Sequence, residues 1–445
     1  MTVLDLLTGP AFLLFLAGAG IFFTVRLKGI QFLKFGRVWR ETFGNLSARS
    51  VGNNGAISSF QATATALAGT LGTGNIAGVA TAIVGGGPGA VFWMWISSLF
   101  AMALKYAEIV LAVRFRSTNE RGEQVGGPMY YMEKGLGCRW MAIWFATACV
   151  LASFGIGNMA QANAASQSFA QVLAIPEEWV GLFLSITVGF ALFGGIRRIA
   201  CLTERLVPLM AAVYVGAAAW ILVVNHAEIP AVIGMIVRDA FHFSAATGGV
   251  TGFLVSQCVR FGIARGVFSN EAGMGSAPIV HGAADTSSPG QQGMWGIVEV
   301  FLDTTLMCTV TALVILTSKF DFCQADGSAL TILAFESVMG KGAGVFLAIS
   351  ILFFAMASIM GWSYCGEKAL EYLSGSRRVQ RMYRICYLLA VYIGSCISMG
   401  TVWQLSDLLN LCMAVPNCVA VLLLSSVVKK ETAAFLGEKS RIIKR

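Results

Sequence analysis

The chain has 445 residues, of which 56% are hydrophobic and only 12% charged, and its mean hydropathy is +0.73. A soluble domain carries about a quarter charged residues, so this composition excludes a water-soluble core. The net charge of +8 does not point to nucleic acid, because Lys and Arg sit in short segments between apolar runs, where they set membrane topology.

Apolar runs long enough to cross a hydrocarbon layer of about 30 Å recur along the whole chain. The first, over 10–23, follows Asp5 rather than a basic segment and lacks a clear small-residue cleavage site, which predicts a retained helix. Spans are predicted over 11–26, 56–84, 88–116, 139–172, 178–196, 199–225, 246–282, 289–318, 343–373, 380–399 and 403–428, about 11 transmembrane helices. With the N-terminus outside, 25 of the 31 Lys and Arg fall in inside segments, which places the C-terminus in the cytoplasm of a multi-pass inner-membrane protein. The loops over 225–245 and 319–342 are each long enough for a short outer helix.

The fold class expected is therefore all-α and polytopic. An N-terminal helix and basic loop occupy 1–55, a core occupies 56–428 and a basic tail held at anionic lipid occupies 429–445. The eleven cysteines show no C-x-x-C spacing, and His226, His242 and His281 form no metal-binding pattern. No nucleophile and base constellation marks an enzyme.

Two runs depart from plain apolar anchors: Ala68-Gly69-Thr70-Leu71-Gly72-Thr73-Gly74-Asn75 and Phe268-Ser269-Asn270-Glu271-Ala272-Gly273-Met274-Gly275-Ser276. In lipid, irregular backbone is tolerated only where it lines a protein cavity. The bland alternative is a pair of close-packing small-residue surfaces. Setting the first helix aside, the runs fall in the first and sixth of ten helices, where a five-plus-five inverted repeat, about 56–225 and 246–428, places its discontinuous helices. Half-helix N-termini offer N–H groups to a carboxylate, and freed carbonyls coordinate a small cation, so an amino acid with Na⁺ fits both kinds of group.

The segment Gly86-Gly87-Pro88-Gly89-Ala90-Val91-Phe92-Trp93-Met94-Trp95-Ile96-Ser97-Ser98-Leu99-Phe100-Ala101 closely resembles the signature of the alanine/glycine:cation symporters, also called sodium:alanine symporters, which usually end it in glycine. The resemblance extends to Gly72-Thr73-Gly74-Asn75-Ile76-Ala77-Gly78, to Gly262-Ile263-Ala264-Arg265-Gly266 with the run after it, and to Gly361-Trp362-Ser363-Tyr364-Cys365-Gly366-Glu367. It implies a leucine-transporter-type fold and sodium-coupled uptake of alanine or glycine, with D-alanine a further candidate, and no cofactor beyond the coupling ion.

Position by position, the resemblance implies that amides near Thr73, Gly74 and Asn75 receive the substrate carboxylate. The ammonium would meet carbonyls near Thr70 and Phe268 and side chains around Ser269 and Asn270. Phe154, Gln161, Met274 and Trp362 would sense the substrate side chain. Fold analogy builds the sodium site from carbonyls of Ala68 and Leu71 with Phe354, Ala357 and Ser358; family members often carry a hydroxyl where this chain has Ala357.

Intramembrane charges are costly and need partners. Lys105 and Glu108, three apart, are expected to pair with each other. Glu271 is expected to pair with Arg260 or Arg265. Glu299 and Asp303, one turn apart, are expected to point the same way and to pair with an arginine. Glu271, Glu299 and Asp303 also carry the alternative, a proton-coupled carrier. Glu367 and Asp407, nearer helix ends, are expected at gates or interfaces.

Overall fold

The computed structural model describes residues 9–45, 57–241, 248–318, 325, 327–397 and 399–437, so His242 and the last eight residues of the C-terminal tail, 438–445, lie outside the described residues. A helix or broken helix stands at each expected span: α1 (Pro10–Arg26), α2 (Ser59–Thr70), α3 (Ala77–Gly86), α4 (Ala90–Arg114), α5 (Arg139–Phe154), α6 (Ala160–Leu173), then Glu177–Leu192 and Gly195–Val224. The chain continues through α7 (Gly248–Asn270), α8 (Ser276–His281), α9 (Pro289–Val300), α10 (Gly342–Leu373), α11 (Arg377–Cys396) and α12 (Met399–Leu423). Among the described residues five helical stretches are long and apolar enough to cross a membrane, or up to seven if each bent pair is one span.

The two long loops each hold a short helix, Ile229–Ala240 and Gly327–Met339. Two features depart from the expected pattern. The 114–139 loop carries an antiparallel hairpin, Ser117–Thr118 with Gln124–Val125, before a helix Pro128–Leu136. The basic tail is not simply a solvated end: a helix Ser425–Leu436 bends 62° away from the preceding span and returns to the protein, with Glu431 3.0 Å from Arg114 and the Phe435 carbonyl 3.1 Å from Arg37.

The positions of the helices follow from which of them can do without lipid. Most of α4 is buried, including all of 101–113, and it packs against α1, α7 and α9. Helix Gly195–Val224, by contrast, has Leu209, Val213 and Trp220 exposed, an apolar face suited to lipid. The charged Lys105 and Glu108 therefore sit on a largely enclosed helix, where neighbouring helices must satisfy them.

A candidate substrate and cation site at two helix breaks

Helix α2 starts at a capping box: Ser58 Oγ accepts from the Gln61 amide at 3.1 Å and the Gln61 side chain accepts from the Ser58 amide at 3.0 Å. It ends at Thr70, and one short turn, Thr73–Asn75, separates it from α3 at a bend of 60°. Gly72 is required there because a Cβ would stand 2.7 Å from Ser358 Oγ and 2.9 Å from Gln161 Oε1. Asn75 closes the break by accepting from the Gly72 amide at 3.1 Å. The freed groups are shared out: the Thr73 amide donates to Gln161 Oε1 at 3.2 Å, and Ser358 Oγ donates to the carbonyls of Ala68 at 2.9 Å and Leu71 at 3.5 Å. Thr73 Oγ1 is buried without a partner, an orphan that a ligand would satisfy.

The second break follows Asn270. Glu271, Gly273 and Gly275 all take positive φ, at 53°, 86° and 86°, which unwinds the chain before α8. Glu271 is held by the Ser276 hydroxyl and by Trp362 Nε1 at 3.0 Å, instead of by the expected arginine. Asn270 accepts at Oδ1 from the Ala272 amide at 3.0 Å and donates to the Gly266 carbonyl at 2.6 Å and to Thr304 Oγ1 at 3.2 Å.

Asp303 joins the two breaks. Its carboxylate accepts from Asn75 Nδ2 at 2.7 Å, Ser269 Oγ at 2.8 Å and Thr304 Oγ1 at 2.7 Å. These three donors stand where an arginine was expected. A π-helical stretch, Phe301–Cys308, begins between Glu299 and Asp303 and changes the register, so the two acids serve different partners. Glu299 lies 2.9 Å from Lys105 and 3.3 Å from His281. The Lys105–Glu108 pair is thus replaced by Lys105–Glu299, while Glu108 accepts from the Gly273 amide at 2.9 Å and from Asn417 at 2.5 Å. Sequence reasoning missed His281, Gln292 and Asn417 in these contacts; the signal was the unpaired cost of the intramembrane charges, which called for partners from other helices.

The other expected residues divide. Gly74 lies against the Phe268 ring, with 3.5 Å between its virtual Cβ and that ring. The Trp362 ring packs on Gly157, beside Gly69. Thr70 turns its hydroxyl back to the Ala66 and Leu67 carbonyls at 3.5 and 3.4 Å. Phe154 stacks against Tyr383 and Tyr387 of α11, with centroids 5.4 and 5.6 Å away. Met274 is buried and borders, with Phe268, a cavity of about 290 Å³ that also touches Leu16, Arg260 and Asn410. Phe354 and Ala357 are buried on α10 just before Ser358. Glu367 forms a two-pronged pair with Arg384 at 2.6 and 2.8 Å, an interface role, and the Asp407 side chain lies outside the described ones.

Residues 1–444 match the sodium:alanine symporter family. The chain belongs to that family. It is 42% identical over 442 residues to the sodium/alanine symporter AgcS of Methanococcus maripaludis, covering 98% of this chain and 96% of that protein. It is 40% identical over 426 residues to the probable sodium/glutamine symporter GlnT of Bacillus subtilis, covering 95% of this chain and 87% of that protein. Among solved structures, MhsT in complex with L-phenylalanine matches with a TM-score of 0.60 at 13% identity, over 86% of this chain and 93% of that one. That likeness gives the fold, a leucine-transporter-type arrangement, and the family and its named members are transporters rather than enzymes. Sodium is the family's coupling ion, and no cofactor beyond it is indicated.

Proposed function

We propose that this family member takes up a small neutral amino acid, alanine or glycine, together with Na⁺ across the cell inner membrane, with its N-terminus outside and its C-terminus in the cytoplasm. The observation that carries the reading is the Ser358 hydroxyl set against the carbonyls of Ala68 and Leu71 at the end of α2. Those are hard oxygen donors at the negative end of a half-helix, the setting in which this kind of fold binds a cation. Phe354 and Ala357 would contribute backbone oxygens, and Ala357 supplies no hydroxyl of its own.

The amino acid fits beside that cation. Its carboxylate faces the amides of Thr73, Gly74 and Asn75 and the unpartnered Thr73 hydroxyl, and its ammonium faces carbonyls near Thr70 and Phe268 and the side chains of Ser269 and Asn270. Gln161, Met274 and Trp362 bound the space left for the side chain, with Phe154 behind them. Bound Na⁺ neutralises the carboxylate, and closing of one break against the other carries both across by alternating access.

The test is uptake of radiolabelled alanine into proteoliposomes with and without an inward Na⁺ gradient at fixed pH, with glycine, D-alanine, glutamine and leucine as competitors. Accumulation that requires Na⁺ and is blocked by glycine supports the reading. Competition by glutamine alone would move the substrate toward that of the Bacillus relative. A second reading, proton coupling, is favoured by Glu271, a buried carboxylate held by the neutral donors Ser276 and Trp362. Uptake driven by a pH gradient without Na⁺, and lost in E271Q, would establish it.

A further inference from the structure

Lys105 is a lysine only 1% exposed on the enclosed helix α4. A buried ammonium is retained only where its donors are satisfied and its charge is balanced. Its Nζ donates to the carbonyl of Asn270 at 2.6 Å and lies 2.9 Å from Glu299. Asn270 is the last residue of α7, so this carbonyl belongs to the negative end of a half-helix, where a cation is stabilised and where freed carbonyls otherwise meet a mobile ion.

The groups around the ammonium are themselves held in place. Glu299, from α9, also lies 3.3 Å from Nε2 of His281, the last residue of α8, and His281 Nδ1 faces Gln292 Nε2 at 2.7 Å. One turn along α4, Glu108 takes the Gly273 amide at 2.9 Å, and Asn417 of α12 ties Glu108 to the Gly273 carbonyl at 2.8 Å. Helix α4 therefore presents a cation to a freed carbonyl and an anion to a freed amide of one unwound segment. At the first break the corresponding carbonyls, Ala68 and Leu71, face the neutral hydroxyl of Ser358.

We propose that the Lys105 ammonium is a built-in cation of the second break, held by its tether in the place of an exchangeable ion. Lys105 is then a positioning residue for Ser269 and Asn270, and one mobile cation, bound at the first break, is coupled to each substrate molecule. The count rests on the ion-coupled transport reading above; the role of Lys105 does not.

Two measurements on reconstituted full-length protein test this. The reversal potential of alanine flux, taken across a series of Na⁺ gradients, should give one cation per alanine; two would overturn the proposal. The double variant K105M/E299Q removes the ammonium and its counter-charge together, which avoids leaving a buried charge unpaired and so preserves folding, checked by a monodisperse elution profile. Alanine counterflow exchange, which needs no ion gradient, should fall at least about tenfold in it, the smallest change expected from losing a hydrogen bond to a charged group. A structural ion pair would be replaced by the neutral pair without loss, so wild-type exchange in the double variant overturns the role of Lys105. Should the double variant not fold, K105A, which leaves Glu299 facing the vacated space, decides: a sigmoidal Na⁺ dependence is expected, and an unchanged hyperbolic one overturns the proposal. Uptake indifferent to every ion gradient would overturn ion coupling and the count with it, while leaving the exchange result to judge Lys105.

Discussion

Asp303 is the residue on which both breaks depend. A buried carboxylate accepting three hydrogen bonds is held firmly only while all three donors face an acceptor. In D303N one oxygen becomes a donor facing Asn75 or the Ser269 and Thr304 hydroxyls. We expect alanine uptake to fall at least about fivefold, since a misplaced buried donor costs about 1–3 kcal/mol; initial rates in proteoliposomes at matched protein content check this. Gly72 is sensitive for a different reason. A methyl group there would lie 2.7 Å from Ser358 Oγ, and displacing that hydroxyl removes a donor from the carbonyl pair it serves. G72A is expected to raise the Na⁺ concentration for half-maximal uptake by about tenfold, the effect of about 1.4 kcal/mol at one ligand position. An unchanged Na⁺ dependence would remove Ser358 from the cation site.

At the scale of elements, the hairpin between α4 and α5 is pinned by charge. Glu123 follows the hairpin turn and lies 2.9 Å from Lys368 near the end of α10, with Asn119 2.9 Å away. Burial pushes its carboxyl upward, but the Lys368 ammonium outweighs that and holds it below the usual carboxylate range. A carboxyl lowered in the folded state stabilises at pH above its ordinary value of 4.5, and that contribution is lost as pH falls through the lowered value. Proteolysis of the 114–139 loop should therefore be slow at neutral pH and accelerate as the pH falls below the ordinary carboxyl value of 4.5 and through the lowered one, with E123Q already fast at neutral pH and flat with pH. The helix Ser425–Leu436 is a related case: its bend returns Glu431 to Arg114, so basic sequence that reads as a solvated tail is partly docked.

At the scale of the whole molecule, the surface carries an apolar coat that no soluble protein of this size would leave uncovered. Trp140 is 69% exposed, Trp179 66%, Phe190 70% and Trp220 62%. Tryptophans at such positions are expected at lipid interfaces. Reconstitution into brominated phospholipid should quench most of the tryptophan fluorescence, whereas Trp362, buried beside Gly157, contributes an unquenched remainder; weak quenching would place these faces in a protein interface instead.

The sequence by itself determined where the helices lie and where two of them break. Apolar length marks a span whatever its neighbours are, and the runs Ala68 to Asn75 and Phe268 to Ser276 announce irregular backbone by replacing leucine with glycine and hydroxyls. Fold analogy brought Ser358, Ala68 and Leu71 to one place, and the structure sets them in contact. Only the tertiary structure decided the partners of the buried charges. Spacing along one helix nominates neighbours a turn away, which is why Lys105 was matched to Glu108 and Asp303 to the face of Glu299. The interior has little water to satisfy a charge, so it pairs with whichever groups packing brings within reach: for Lys105 the carbonyl of Asn270, 165 residues further along the chain, and for Glu299 and Asp303 opposite sides of a π-helical turn that no local pattern signals.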